Sequence, residues 1–103
     1  MFCRSYNNFF QMLANPTNQS IIILLMKKPL NVTQIIKVTR LEQSQASHSL
    51  KRLNECKIVN VKRNGKQRIY SLNKKTIIPI IKIVDRHAKE MCPECKKIND
   101  VKI

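Results

Sequence analysis

Glycine occurs once in the 103 residues and tryptophan not at all. One glycine cannot build a phosphate-cradling loop, which needs several backbone positions free of a side chain. Carboxylates are scarce, six against 20 lysines and arginines. Ser44, Ser47 and His48 lie close together but among cations, with no carboxylate to orient a nucleophile–base pair, so the chain does not read as an enzyme. Long apolar runs are missing too. The stretch from Ile21 to Met26 is six residues, too short for a spanning helix or a typical signal core. A cationic membrane-surface protein would want bulky aromatics on a basic helix, and there is little Phe beyond the N-terminus. These absences lead us to expect a cytoplasmic protein with no membrane partner.

What is abundant is positive charge. The formal net charge is +14 while the apolar fraction, 43%, is ordinary. The length suits one small domain. Residues 1–73 carry 12 basic and 2 acidic side chains, against 8 and 4 for residues 74–103. That imbalance favours a polyanionic partner for the first three-quarters of the chain.

The stretch LEQSQASHSLKRLNECKIVNVKRNGKQRIYSL, residues 41–72, is the most informative. With about 100° per residue, Ala46, Leu50 and Leu53 share one arc of a helix. Ser44, Ser47, His48 and Lys51 fall opposite, flanked by Gln45 and Arg52. The first arc can bury, and the second carries groups that bond base edges and phosphates. Two β-compatible runs follow, one with Val59 and Val61, the other with Ile69, Tyr70 and Leu72. Asn64-Gly65 between them predicts a tight hairpin with positive φ at both. Lys62, Arg63, Lys66 and Arg68 crowd its tip. Lysine on an edge strand can serve only to block pairing, but four cations at one tip point to phosphate.

Elsewhere, residues 6–14 read as a short helix with Phe9, Phe10 and Leu13 on its apolar side. Asn15-Pro16 is an N-cap followed by proline at the first position of a helix running to about Met26, although its Ile-rich core also has strand propensity. Lys27, Lys28 and Pro29 stop it. Asn31 and Gln34 form a capping box for a third helix with Ile35, Ile36 and Val38 facing inward. Glu42 is a poor cap for the helix that follows. Asn73 is the expected cap of a last helix striped by Ile77, Ile80, Ile81, Val84 and Ala88, with Pro79 disturbing its first turn. So many isoleucines exceed what a small core can take, and suggest a second copy of the chain as partner.

In this order of helices and wing, the chain resembles the ArsR-type (ArsR/SmtB) winged helix-turn-helix repressors over roughly residues 9–90. LANPTNQSIIILL is similar to that family's opening LADPTR-L-IL-LL. LEQSQASHSLKRLNECKIV resembles its recognition motif LSQS-VSHHL-xLxxAGLV, with Gln43, Ser44, Ser47, His48, Leu50 and Leu53 in place. MarR-like and other winged-helix groups share the architecture. The resemblance implies a mainly α fold with a β-hairpin wing. It also implies a homodimer built from the first and last helices, hence from Phe9, Phe10, Leu13, Ile77, Ile80, Ile81 and Val84. Such a dimer binds operators and represses transcription, with Gln43 joining the DNA-binding set. Many members carry ELCVC at the third helix, but here the segment is PLNVT, without thiols. For the family's last-helix metal site, His87 and Glu90 match one pair of ligands, while Lys74 and Thr76 stand at the other.

Four cysteines remain: Cys3, Cys56, Cys92 and Cys95. Cys56 reads as a small buried residue. The C-P-E-C spacing of Cys92 and Cys95 suits a zinc ion completed by Cys3 or His87, a disulfide, or no ligand at all. Residues 1–91 are expected to form the DNA-binding and dimerising domain, and 92–103 a cysteine-containing tail. The functional expectation is a sequence-specific repressor with metal or thiol sensing at that tail. The alternative is a winged-helix architectural or protein-interaction module that binds DNA by charge alone.

Overall fold

Asparagines start two of the helices. The computed structural model describes residues 4–92 and 94. Helix α1, Arg4–Ala14, ends where Asn15 turns extended (φ −80°, ψ 124°) ahead of Pro16. A residue before proline is pushed out of the α region, so the break is local in origin. Helix α2, Pro16–Leu25, then begins with the Asn15 side chain accepting from the Asn18 N–H at 3.1 Å. The Ile-rich run is helical despite its strand propensity, and buries Ile21, Ile22 and Leu25 on one side.

Two side chains of α2 join it to α1. Asn18, only 3% exposed, donates through Nδ2 to the Met12 carbonyl at 3.1 Å. Gln19 Nε2 donates to the Leu13 carbonyl at 2.9 Å. Carbonyls at a helix C-terminus lack partners within the helix, so these amides close the end of α1. Met12 is the buried residue of α1, whereas Phe9 and Leu13 are half-buried and Phe10 is 54% exposed. The expected apolar side is therefore shifted, and Phe10 lies off the core.

Leu30–Asn31 forms β1, a short strand that the hairpin reading did not anticipate. Asn31 also caps helix α3, Val32–Thr39, through the reciprocal box with Gln34 at 2.8 and 2.9 Å. Ile35 is fully buried, Ile36 half-buried, and Val38 63% exposed, so Val38 does not face inward. Arg40 closes α3 in the left-handed region (φ 61°), turning the chain into helix α4, Gln43–Glu55. Helix α4 ends with Lys57 also left-handed (φ 60°). There Ile58 N–H reaches Leu53 O at 2.9 Å, and Lys57 N–H reaches Asn54 O at 3.1 Å. That is the Schellman pattern, with buried Leu53 and Ile58 as its apolar pair. Cys56, at the C-cap, is half-exposed rather than buried.

Strands β2, Val59–Asn64, and β3, Gln67–Leu72, complete an antiparallel sheet of order β1-β3-β2. Asn64 pairs with Gln67, so the loop is Gly65-Lys66 and only Gly65 takes positive φ. The turn thus has glycine first, as in the II′ type, and Asn64 belongs to the strand. Tyr70, Leu72 and Val59 point to the core. From Asn60 to Arg68 the ribbon is exposed, because it extends past the helices as a wing.

The chain divides into two compact units, Met1–Leu72 and Asn73–Ile103. Within the second, Asn73 Oδ1 accepts from the Lys75 N–H at 3.1 Å in a local turn, and α5 starts later, at Ile77–Met91 with Thr76 as its N-cap. Pro79 is the third residue of α5. N–H groups of a first turn have no intrahelical acceptor, so proline costs no bond there and the helix continues to Met91.

Arg40 makes a stability test. Its left-handed backbone costs an L-residue about 1–2 kcal/mol, and more for a β-branched one. Arg40→Val is expected to lower stability by about 1–2 kcal/mol, and Arg40→Gly to preserve it, as measured by urea unfolding. Equal loss in both variants would show that the guanidinium, and not the backbone, matters at this turn.

Candidate nucleic-acid interface

Burial sorts the residues of α4 cleanly. Ala46, Leu50 and Leu53 have no exposed surface, and Ser49 is 8% exposed. Gln43, Ser44, Gln45, Ser47, His48, Lys51 and Arg52 are all exposed. With its apolar stripe held against the core, α4 cannot roll, and its polar stripe is presented as a unit. A helix of this width fits the major groove of B-DNA. The hydroxyls come first along the stripe and the cations last, so neutral hydrogen-bonding groups and charged groups are separated along the axis.

Gln45 has a defined orientation. Its Oε1 accepts from the Glu42 N–H at 3.3 Å, which leaves its amide NH2 turned outward as a donor. A donor at that place suits an acceptor such as guanine O6 or N7, or a phosphate oxygen. Within residues 4–72 the carboxylates are Glu42 and Glu55, one at each end of α4, so no acid interrupts the exposed stripe.

The wing extends this surface. Lys62, Arg63, Lys66 and Arg68 are exposed. Arg63 stands directly across from Arg68. By the alternation of strands they lie on the ribbon face that, further along, sends Tyr70 and Val59 into the core. Like charges placed opposite each other destabilise a hairpin. The pair is favoured once an anion lies between them. Lys62 is on the other face, opposite Ile69, where a groove of about 400 Å³ runs past Pro29 and Ser71.

The residues expected at a dimer interface differ in availability. Ile77 is 1% exposed, Ile80 and Ile81 are half-buried, and Val84 is 59% exposed. Ile83, at 60%, adds an exposed apolar side chain to α5. On α1, Phe10 meets Phe9 edge to face, with ring centroids 5.7 Å apart.

For the sensing residues, His87 and Glu90 are exposed on α5 and Cys92 is half-buried at its C-cap. Cys3 and Cys95 lie outside the described residues. Among the described residues no three His, Cys, Asp or Glu side chains gather as a metal site would require. Asp85 is engaged with Lys89 at 3.0 Å, an i,i+4 pair. Among the described residues, no helix is long and apolar enough to cross a membrane.

Ser49 and Thr17 were missed by sequence reasoning. Ser49 sits at the border of the buried arc, where its type alone signals nothing. Both line a groove beside α4.

Comparison with known proteins agrees with this geometry. Residues 15–61 match the model of a family described as bacterial regulatory protein, arsR family. No curated protein matches the chain in sequence. Rv0081 of M. tuberculosis is 28% identical, with a TM-score of 0.71 over 76% of this chain and 79% of its own. The homodimeric winged helix-turn-helix DNA-binding domain of Mb0332 from Mycobacterium bovis is 23% identical. It has a TM-score of 0.77 over 84% of this chain and 80% of its own. The reduced form of the transcriptional regulator YodB from B. subtilis is 23% identical, with a TM-score of 0.73 over 91% and 98%. The fold is a winged helix-turn-helix.

The Arg63–Arg68 pair separates folding from binding. Arg68→Glu turns a repulsive cross-strand pair into an attractive one. Thermal unfolding should stay unchanged or shift slightly upward. DNA affinity should fall, and the slope of log K against log salt should flatten by roughly one to two units. An unchanged slope would place the wing off the DNA.

Proposed function

We propose that this chain, whose residues 15–61 carry the domain of the ArsR family of bacterial regulatory proteins, is a sequence-specific DNA-binding repressor acting as a homodimer. The observation that carries this reading is the division of α4. One stripe is wholly buried, and the other presents Gln43, Ser44, Gln45, Ser47, His48, Lys51 and Arg52 without an intervening acid. In this reading α4 lies in the major groove. Ser44, Gln45, Ser47 and His48 approach bases, and Lys51, Arg52 and the wing cations hold phosphates. The chain works as a regulator in the cytoplasm and not as an enzyme.

The dimer rests on apolar side chains left at the surface. Phe10 on α1 and Ile83 and Val84 on α5 are more than half exposed, which suits a symmetric partner. The homodimeric state in which Mb0332 was described supports the same assembly. Sensing is assigned to Cys92 and Cys95, through zinc completed by Cys3 or His87, or through a disulfide. Replacing both cysteines with serine should then abolish any response of DNA binding to zinc, chelator or oxidant. A double variant that responds like the parent would remove the tail from sensing.

Selection from random duplex DNA tests the central claim. It should return an inverted repeat with half-sites about one helical turn, roughly 34 Å, apart. Gln45→Ala and His48→Ala should each reduce discrimination against the wrong sequence by about 1–3 kcal/mol. The high net charge favours a second reading, in which the protein coats DNA without preference. Selection that enriches no sequence would establish that reading instead. Val84→Glu should yield monomers in sedimentation, with weakened operator binding. A parent protein already monomeric at micromolar concentration would contradict the dimer.

A further inference from the structure

The groove of about 190 Å³ between the N-terminus of α2 and the middle of α4 is lined by Thr17, Asn18, Gln45, His48, Ser49 and Arg52, among others. We propose that it is a phosphate clamp that holds one backbone phosphate of the bound duplex. The proposal rests on the DNA-binding reading above and adds Ser49 and Thr17 to the phosphate contact which that reading gives Arg52.

Ser49 is the first reason. It is more than nine-tenths buried, yet among the described residues its hydroxyl makes no hydrogen bond. A serine or threonine inside a helix either turns out to solvent or bonds back to a carbonyl of the preceding turn. Ser20 does so with Thr17 O and Thr39 with Ile35 O, both at 2.7 Å. The Ser49 hydroxyl is not sealed off unsatisfied, so the surface it keeps opens to the groove it lines. A donor placed so, with no acceptor among the described residues, is available to an outside oxygen.

The end of α2 is the second reason. Pro16 has no N–H, and the N–H of Asn18 is taken by Asn15 Oδ1. Thr17 N–H is left as a first-turn donor at the positive end of the helix dipole, an arrangement that favours anions. From α4, Arg52, His48 and Gln45 contribute to the lining of the same groove. No carboxylate lines the groove. Asn18 contributes shape and not a donor, since its Nδ2 is engaged by the Met12 carbonyl. Residues able to supply a backbone N–H, a hydroxyl and a guanidinium therefore line one small space from two helices, beside the polar stripe of α4. A phosphate seated there would fix how deep and at what angle α4 enters the groove, whatever the sequence.

The test compares full-length parent, Ser49→Ala and Arg52→Gln on the selected operator and on a random duplex, at several salt concentrations. Ser49→Ala removes a hydroxyl without a protein partner, so thermal stability should not fall. Its affinity should drop roughly tenfold on both duplexes, the scale of a hydrogen bond to a charged group. Its salt slope should be unchanged because no charge is lost, whereas Arg52→Gln should flatten the slope by roughly one unit. On an operator carrying a methylphosphonate at the clamped position, Ser49→Ala and parent should bind alike. If Ser49→Ala binds like parent on ordinary DNA, the clamp is wrong and the DNA-binding reading stands. A loss confined to the operator would mean that the groove reads a base, which also overturns it. A parent that binds neither duplex overturns both proposals.

Discussion

Ala46, Leu50 and Leu53 on one side of α4 have no solvent-exposed surface, and on that seam the rest of the molecule turns. Burying each leucine is worth about 1.5–3 kcal/mol, and the three together fix the rotation of the helix about its axis. Once rotation is fixed, the order of the remaining residues decides what faces outward. Ile35 from α3, Ile21 and Ile22 from α2 and Val59 from β2 belong to the same buried set. The three helices, the sheet and the wing are thereby positioned by the packing that exposes the polar stripe.

A chain with a net charge of +14 that is to meet a polyanion has reason to keep carboxylates away from the contact. Helix starts would ordinarily use aspartate or glutamate, which the helix dipole favours by about 0.3–1 kcal/mol. At α2 and α3 neutral amides do that work. Asn15 and Asn31 cap α2 and α3, and Gln34 and Gln45 return bonds to the residues before their helices. Among the described residues, no helix has an acid in its first turn. At α2 and α3 the hydrogen bonds of capping are kept without negative charge, whereas α4 starts at Glu42, which forms its capping box with Gln45. The facing pair Arg63 and Arg68 follows the same logic, giving up hairpin stability for a site that an anion relieves.

Much of this was legible in the residue pattern. The arc of Ala46, Leu50 and Leu53, the caps at Asn15 and Asn31, and the hairpin marked by the lone glycine each depend on neighbours within a few positions. Errors arose where a distant partner decided. Met12 took the core place expected for Phe10 because Asn18 and the body of α2 meet that side of α1. Val38 stayed at the surface because α3 is short and only one side of it is covered. β1 was missed since two residues carry no periodicity, and Leu30–Asn31 becomes a strand only by pairing with Tyr70 and Ile69. The turn was displaced by one residue because the register of β2 with β3 recruited Asn64 as the partner of Gln67.

The sequence by itself determined the kind of protein: its charge, the starts of α2 and α3, the polar and apolar arcs of α4 and the basic wing. These follow from local chemistry, which is set by residues adjacent along the chain. Tertiary structure alone decided which donors are left over. Ser49 looks like any serine in a helix until the packing of α4 buries it beside the start of α2 and leaves its hydroxyl facing a groove. Thr17 likewise becomes notable only when Arg52 and His48, more than 30 positions away, stand across from it. Convergence of groups from separate helices is a property of distances in space, and no reading of spacing along the chain contains those distances.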